Sequence, residues 1–275
     1  MDVPAIELNT GAEIPQIGLG TWPFDDEEAA DAVVAAAEVG YRHFDTATRY
    51  GNEAGVAEGM RRTGLDREEL FVTTKLDGAF QGGDRAIGGL EAALERMRLD
   101  YVDLLLMHWP LLSRGLFVST WQTFEKLYSD GRARAIGVSN FKPAHLDTLL
   151  KTASVVPAVN QIEISPVTPR EDHVVYDAKH GIVTQSYSPL GGGGARILQL
   201  PEVVELAATL GRTASQVVLR WHVQRGLVPL PKSADPLRMA ENLDVFGFEL
   251  GEEHMAALAA LERPGAGVDS DVDGH

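Results

Sequence analysis

The chain has 275 residues, of which 44% are hydrophobic and 23% charged, and its formal net charge is -16. This composition is close to that of ordinary globular proteins, so a folded core is expected rather than disorder. The negative charge argues against a nucleic-acid partner, because affinity for a phosphate backbone depends on Lys and Arg. The sequence contains no cysteine, which excludes disulfides, thiolate metal ligands and a cysteine nucleophile.

The apolar runs and the first residues carry no membrane or export signal. No apolar run reaches the ~18 residues needed to cross a bilayer. The start MDVPAIELNT lacks the basic and then apolar profile of a signal peptide. We therefore predict a cytoplasmic protein that does not associate with membranes.

Short runs rich in β-forming residues recur along the chain. The first pair, AIEL and AEI, flanks Asn9-Thr10-Gly11 and predicts a hairpin. Eight further runs, each bounded by glycine or turn residues, predict strands. They are QIGLG (16–20), RHFDT (42–46), LFVTT (70–74), VDLLLM (102–107), RAIGV (134–138), PAVNQ (157–161), IVTQS (182–186) and LVPLP (227–231).

The stretches between these runs carry signals for helix ends. Thr213 and Gln216 have the spacing of a capping box before VVLRWHVQR, and Pro143 suits a first helical turn. Gly40 and Gly181 lie where helices are expected to stop. The sequence thus predicts a helix after each strand.

Eight alternations of strand and helix predict parallel strands joined by right-handed crossovers. Eight such units close more naturally into a barrel than into an open sheet. We therefore predict an α/β fold, a (β/α)8 TIM barrel with a short N-terminal β-hairpin. Residues 1–275 are predicted to form this single domain, with a mobile acidic tail at 264–275.

Polar residues follow most of the predicted strands. Active sites of this architecture lie at the C-terminal ends of the strands, so these residues are the candidates for a functional site. They are Asp45, Lys75, His108, Ser139, Asn140, Gln161, Tyr187, Ser188, Lys232 and Ser233. A barrel that served only as a scaffold would not need them.

Three of these candidates, together with Tyr50 from the loop that follows Asp45, suit proton transfer at oxygen. A phenol has a reference pKa near ~10, so Tyr50 is a usable proton donor, and the ammonium of Lys75 would ease its ionisation. Asp45 can hold that ammonium, and His108 supplies a further donor or acceptor. The set contains no strong nucleophile. A reaction at a carbonyl or alcohol would therefore need its hydride from elsewhere.

Over essentially its whole length the chain resembles the aldo-keto reductase family, and in particular bacterial and archaeal members of the 2,5-diketo-gluconate reductase type. YRHFDTATRYGNE resembles the signature that carries the catalytic Asp and Tyr, here Asp45 and Tyr50. FVTTK resembles the segment that ends in the catalytic Lys, here Lys75, and LLLMHWP the segment with the catalytic His, here His108. The resemblance implies an NADP-dependent oxidoreductase: NAD(P)H delivers hydride from C4 while Tyr50 protonates the oxygen, and an aldehyde or ketone becomes an alcohol.

The resemblance also implies a set of cofactor-binding residues. GVSN and VNQIE match the family's carboxamide-binding residues, and SYSPLG matches its nicotinamide-stacking aromatic and pyrophosphate-binding run. PKS with the following Arg and EN matches its adenosine end. The residues so implied are Gly20, Thr21, Ser139, Asn140, Gln161, Tyr187, Ser188, Leu190, Gly191, Lys232, Ser233, Arg238, Glu241 and Asn242.

Two cations in the adenosine segment predict NADPH as the cofactor. Lys232 and Arg238 would attract the 2′-phosphate that distinguishes NADP from NAD. Asp235 lies between them, where many family members carry a neutral or basic residue. It suits a helix cap, but facing the phosphate it would weaken the preference. We therefore predict that NADPH is preferred and that some NADH use survives.

Trp22 and Trp109 follow the first and fourth barrel strands and are predicted to line a substrate pocket.

We expect a small-molecule carbonyl substrate, no metal and a monomer. Two alternatives stay open. One is a metal-dependent barrel hydrolase with His43, Asp45 and His108 as ligands. The other is a nicotinamide-binding sensor without catalytic activity.

Overall fold

A computed structural model of the chain describes residues 3–192 and 196–275. Its strands are β1 (Ala5–Glu7), β2 (Glu13–Pro15), β3 (Leu19–Gly20), β4 (His43–Asp45), β5 (Phe71–Leu76), β6 (Val102–Met107), β7 (Ala133–Ser139), β8 (Val159–Glu163), β9 (Val183–Tyr187) and β10 (Val228–Leu230). Its α-helices are α1 (Asp26–Val39), α2 (Glu53–Arg62), α3 (Gly83–Met97), α4 (Phe117–Ser129), α5 (Pro143–Leu150), α6 (Glu171–Lys179), α7 (Pro201–Leu210), α8 (Ala214–Gln224), α9 (Pro236–Leu243) and α10 (Glu252–Ala259).

The strands from β3 to β10 form one parallel sheet in which each strand pairs with its neighbours in the sequence. Backbone hydrogen bonds join the two ends of this sheet. Gly18 N–H donates to the carbonyl oxygen of Pro229, and Gly20 N–H to that of Pro231, both at 3.1 Å. Strands β1 and β2 form a separate antiparallel pair. The predicted (β/α)8 barrel with an N-terminal hairpin is confirmed.

Most of the predicted barrel strands differ from the structure by one to three residues at an end, and two of these differences bear on the site. The first barrel strand is confined to Leu19–Gly20, because Gln16 N–H still bonds to the Pro4 carbonyl and continues the hairpin. Strand β5 runs two residues further than predicted, to Leu76. As a result, Lys75 lies inside the strand and not in the loop that follows. The alternation of side chains along the strand therefore sets the direction of its side chain.

The hairpin closes the N-terminal end of the barrel. Leu8 and Ile14 pack with apolar side chains that point inward from the barrel strands, including Phe71, Leu104 and Val228. A second and larger apolar layer lies between the sheet and its helices. Because apolar groups fill the lower interior, the polar side chains collect at the C-terminal end, where the strand-end candidates were predicted.

The helix-end signals lie where they were expected. Thr213 caps α8 and forms a capping box with Gln216, and Pro143 occupies the first turn of α5. Gly40 ends α1 with a φ of 115°, a conformation that glycine adopts without strain. Within residues 3–192 and 196–275, no helix is long and apolar enough to span a bilayer.

The C-terminal segment lies across the mouth of the barrel. Val268 N–H donates to Glu163 Oε2 at 2.8 Å, and the Arg170 guanidinium donates to the Val268 carbonyl oxygen at 2.5 Å. Further along, Gly78 N–H donates to the His275 carbonyl oxygen at 3.1 Å. These contacts place the segment beside the strand ends. A single domain and a mobile tail at 264–275 stay predictions.

Candidate active site

The four side chains predicted to be catalytic meet at the C-terminal end of the barrel. The Lys75 ammonium on β5 donates to Asp45 Oδ1 at 2.5 Å and to the Thr46 carbonyl oxygen at 3.0 Å. It also lies 3.2 Å from the Tyr50 hydroxyl. The His108 ring, which follows β6, is 5.9 Å from the Tyr50 ring and perpendicular to it. One phenol is thus in contact with one ammonium beside a histidine.

A buried asparagine holds the loop that carries Tyr50. Asn52 Oδ1 accepts from the Thr46 hydroxyl at 2.6 Å, and Asn52 Nδ2 donates to the carbonyl oxygens of Thr21 and Phe24 at 3.1 and 2.9 Å. Between these anchors, Tyr50 ends the short 3-10 helix Thr48–Tyr50. The sequence TATRYGN therefore places the phenol by fixing both ends of its loop to the barrel.

Burial and charge act against each other in the ion pair. Lys75 is fully buried, and Asp45 is only 3% exposed. Burial raises the pKa of the Asp45 carboxyl, and the charge of Lys75 opposes that rise. Burial lowers the pKa of Lys75, but Asp45 and Tyr50 outweigh it and hold that pKa above its usual value. Lys75 is therefore an ammonium at neutral pH.

The protonation states of Tyr50 and His108 follow from their surroundings. Burial raises the pKa of Tyr50 above its usual value of 10.0, with Lys75 opposing the rise, so the phenol keeps its proton at neutral pH. Burial lowers the pKa of His108 to about 2, and the charge of Lys75 adds to the effect. The imidazole is therefore neutral, and only Tyr50 holds a transferable proton beside the ammonium.

The residues predicted to bind a carboxamide lie next to this set. Asn140 follows β7 with a φ of 64°, which asparagine tolerates better than most residues. Its Nδ2 donates to the His108 carbonyl oxygen at 3.0 Å, and its Oδ1 accepts from the Tyr187 hydroxyl at 2.8 Å. The Ser139 hydroxyl donates to the Gln161 carbonyl oxygen at 2.8 Å. These hydrogen bonds join the ends of β7, β8 and β9.

Three more of the predicted residues bond to or pair with Asp45. The Thr21 hydroxyl donates to the Asp45 carbonyl oxygen at 2.9 Å, and Gly20 pairs with Asp45 across β3 and β4. Gln161 Nε2 donates to Asp45 Oδ2 at 2.8 Å. The carboxylate of Asp45 thus accepts from Lys75 on one oxygen and from Gln161 on the other.

The run after β9 forms a tight turn at the rim. Gly191 N–H donates to the Ser188 carbonyl oxygen at 2.9 Å, and Leu190 between them is half-buried. Gly191 has a φ of 90°, and a Cβ there would lie 2.6 Å from the Ile197 side chain. The backbone conformation at this position therefore favours glycine.

The predicted adenosine end is more exposed than the catalytic end. The Lys232 ammonium lies over the Phe24 ring, 4.4 Å from its centroid. Asp235 caps α9, since its Oδ1 accepts from the Leu237 N–H at 2.9 Å. Its Oδ2 lies 3.8 Å from Nε of Arg238, whose side chain is 76% exposed. Asp235 is thus both a helix cap and a neighbour of the arginine.

The other three residues of this segment are fixed by local contacts or burial. The Ser233 hydroxyl oxygen accepts from the Asp235 N–H at 3.0 Å. Glu241 accepts from the Thr213 hydroxyl at 2.7 Å, and Asn242 is buried in α9. These contacts order the start of α9, where the segment carries its two cations, Lys232 and Arg238.

Aromatic rings surround the space above the catalytic residues. Trp22 is 58% exposed and lies 5.2 Å from the Tyr50 ring, and Trp109 stacks at 6.3 Å from His108. His275 lies 5.4 Å from His108 and 5.6 Å from Trp109. No sequence signal indicated His275, because its position depends on the path of the C-terminal segment.

The geometry gives no support to the metal-site alternative. Both oxygens of Asp45 are engaged by Lys75 and Gln161, and His43 contacts the Thr73 hydroxyl at 3.2 Å. Among residues 3–192 and 196–275, no group of three or more potential metal ligands comes together. A metal at Asp45 would have to displace a buried ammonium.

The fold and this arrangement define a barrel oxidoreductase, and sequence comparison gives its family. The profile of the Aldo/keto reductase family matches residues 16–263, and the chain belongs to that family.

Relatives match over nearly the whole chain. An aldo-keto reductase of Mycobacterium sp. (strain KMS) is 45% identical over 262 residues, which cover 95% of this chain and 94% of the relative. Morphine 6-dehydrogenase of Pseudomonas putida is 44% identical, with 94% and 91% covered. The crystal structure of a Bombyx mori aldo-keto reductase in complex with NADP has a TM-score of 0.89 and 33% identity, covering 95% of this chain and 94% of that one.

Proposed function

We propose that the chain is an NADPH-dependent carbonyl reductase that converts an aldehyde or ketone to an alcohol, with Tyr50 as the proton donor. The observation that carries this proposal is the contact of the Tyr50 hydroxyl with the buried Lys75 ammonium at 3.2 Å. A phenol in contact with a fixed cation can give up its proton, because the cation stabilises the phenolate that remains.

The residues around this contact fit a nicotinamide cofactor. Asn140, Gln161 and Tyr187 present amide and phenol groups beside the catalytic side chains, while Lys232 and Arg238 offer positive charge at the rim. The Bombyx mori neighbour was crystallised with NADP, which supports the choice of NADP(H) for this chain. When bound, the cofactor supplies the hydride.

The protein's own residues handle the proton and the carbonyl oxygen. Tyr50 keeps its proton at neutral pH, because burial raises its pKa, and donates it as negative charge develops on the oxygen. Lys75, held by Asp45, stabilises the resulting phenolate. His108 is neutral and can donate a hydrogen bond that orients the same oxygen. Tyr50 and His108 thus act on the carbonyl oxygen, and Lys75 acts through Tyr50.

The aromatic rings support a small organic carbonyl compound as the substrate. The rings of Trp22, Trp109 and His275 lie 5.2–6.3 Å from those of Tyr50 or His108, so they can exclude water from the reacting oxygen. The Pseudomonas putida relative is named as a dehydrogenase, which supports an alcohol and carbonyl couple. Trp22 and Trp109 are the residues we assign to substrate contact.

A monomer in the cytoplasm is the state we propose for the enzyme. Exposed large apolar side chains of the described residues are spread along the chain: Val156 precedes β8, Val175 lies on α6 and Val204 on α7. Single exposed apolar residues of this kind are normal on a monomer. Light scattering coupled to gel filtration would test this. A mass of two or more chains would contradict the monomer.

The experiment that tests the function is an initial-rate screen with NADPH against aldehydes, keto sugars, methylglyoxal and α-keto esters. Wild type and Tyr50→Phe are compared, since the substitution keeps the ring and removes the proton donor. We expect wild-type turnover and a loss of about a hundredfold or more in the variant, with NADP+ affinity unchanged. Absence of turnover on every carbonyl, or a variant that retains more than about a tenth of the rate, would contradict the proposal.

A further inference from the structure

A chain of polar side chains runs through the barrel interior beneath Asp45. It comprises Gln161 on β8, Gln185 on β9, His43 on β4 and Thr73 on β5, and all of them are buried. The interior of this architecture is ordinarily filled by bulky apolar side chains, and buried polar groups are costly unless they are hydrogen-bonded. The polar chain therefore calls for a role beyond packing.

The hydrogen bonds of Gln161 allow its amide one orientation. Its Nε2 donates to Asp45 Oδ2 at 2.8 Å and to Gln185 Oε1 at 2.6 Å. Turning the amide over would place its oxygen against the Asp45 carboxylate and the Gln185 oxygen, and both contacts would be repulsive. Asp45 and Gln185 together thus decide which end of the Gln161 amide faces them.

His43 fixes the orientation of Gln185 from the other side. The Gln185 Nε2 lies 3.4 Å from Nε2 of His43, which also lies 3.2 Å from the Thr73 hydroxyl. Burial lowers the pKa of His43 to about 3, so the ring is neutral. In the tautomer that carries its proton on Nδ1, Nε2 accepts from the Gln185 amide. Reversing Gln185 would turn its oxygen toward this acceptor nitrogen and its NH2 group toward that of Gln161.

The carbonyl oxygen of the Gln161 side chain remains available. In the described parts of the chain, both donations of this amide come from Nε2, and its Oε1 receives no hydrogen bond. The carboxamide of a nicotinamide cofactor carries an NH2 group that such an oxygen can accept from. The orientation set by Asp45 and Gln185 is the one that leaves this oxygen free.

We propose that Gln185, oriented by His43, is a positioning residue that keeps the Gln161 amide oxygen turned toward the carboxamide of the bound cofactor. The inference rests on the proposed function, because it needs a nicotinamide at Gln161. Gln185 lies beside Gln161 on the neighbouring strand and acts on the cofactor through that residue. It would thus serve the nicotinamide half of the cofactor and not the adenosine half.

Two variants and two ligands test this assignment. Gln185→Met keeps the length of the side chain and removes its acceptor, while Gln185→Asn keeps the polarity and draws the acceptor away from Gln161. Affinities are measured by calorimetry for NADP+ and for adenosine 2′,5′-bisphosphate, which lacks the nicotinamide. Ser186→Ala is the matched control, because Ser186 is buried in the same strand but bonds to His222, away from this chain.

We expect both Gln185 variants to bind NADP+ about tenfold more weakly and to bind the bisphosphate like wild type. The control should bind both ligands like wild type. Unchanged NADP+ affinity in both variants would overturn the assignment. So would equal losses for the two ligands in both variants, since that is the result of a general structural role. If wild type itself fails to bind NADP+, the proposed function fails, independently of the variants.

Discussion

Asp45 and Asp177 are both buried carboxylates, but their surroundings differ. Asp45 accepts from the Lys75 ammonium at 2.5 Å and from the Gln161 amide. Asp177 on α6 accepts only from neutral donors in the described chain, the Thr184 hydroxyl at 2.9 Å and the Asn160 amide at 3.2 Å. Burial raises the pKa of Asp177 to about 7. A buried cation, rather than burial itself, therefore keeps a carboxylate charged in this barrel.

The third carboxylate of interest, Asp235, is half exposed. It caps α9 and lies 3.8 Å from Arg238, where solvent weakens any charge interaction. Asp45, Asp177 and Asp235 differ in how deeply the carboxylate is buried and in which group pairs with it. Substituting one of these carboxylates or its partner at a time tests how burial and partner decide the effect, and the expected effects decrease from Asp45 to Asp235.

The largest effect is expected from Lys75→Met, which leaves Asp45 buried without a cation. We expect turnover to fall about a hundredfold, because the phenolate of Tyr50 loses its stabilising charge. Stability should fall by about 3–5 kcal/mol, because an unpaired buried charge remains. Activity assays and thermal unfolding measure the two effects.

The double variant Asp45→Asn with Lys75→Met separates these two effects. Removing the carboxylate as well should restore most of the lost stability but none of the lost turnover. If Lys75→Met kept the wild-type rate and pH profile, Lys75 would be only structural.

A smaller effect is expected from Asp177→Asn, which removes a buried carboxyl that is hydrogen-bonded only to neutral donors among the described residues. In the folded chain the pKa of Asp177 is raised to about 7 from 3.8, so this group favours folding at low pH and loses that contribution as pH rises toward 7. Relative to wild type, the variant should gain about 3–4 kcal/mol of stability between pH ~4 and pH ~8. Urea unfolding at both pH values measures the gain.

The comparison of wild type with Asp177→Asn cancels the titration of all other groups. A variant whose stability changed with pH in the same way as wild type would show that Asp177 is ionised in the folded state across this range. In that case a buried carboxylate without a cation would be charged, and the contrast drawn between Asp177 and Asp45 would be wrong.

The smallest effect is expected from Asp235→Arg. The substitution removes a carboxylate near Arg238 and adds a cation. A solvated charge pair contributes roughly 1 kcal/mol, so kcat/KM for NADPH should rise by several-fold. The value for NADH, which lacks the 2′-phosphate, should change little. Steady-state kinetics with both cofactors measures it. Asp235→Asn serves as the matched control, since it retains a capping side chain without the charge. Equal shifts for both cofactors would mean that Asp235 does not sense the phosphate.

The barrel could be predicted from local signals, because each strand and each helix end has its own residues. The capping box at Thr213 and the first-turn proline at Pro143 both lie where the sequence placed them. The position of Lys75 within β5 was less accurate, because a strand's end depends on pairing with its neighbour and not only on its own composition.

The proposed catalytic set was predicted from resemblance and from strand-end position, and the structure brings its members together. Gln185 was not identified, although it lies two residues before Tyr187 and so points to the same side of β9. A glutamine at an inward position of a barrel strand was the available signal. No local signal indicated His275, whose place beside His108 depends on the whole course of the tail.

The pH dependence of carbonyl reduction tests most directly whether Tyr50 supplies the proton. A donor must be protonated, so activity is lost as pH rises through its pKa. Burial raises the pKa of Tyr50 and lowers that of His108 to about 2. We therefore predict that kcat stays level from pH ~6 to pH ~9 and declines only in the alkaline range, at which an ordinary or raised phenol titrates. A decline centred between pH ~6 and pH ~7.5, where an ordinary histidine loses its proton, would contradict the account.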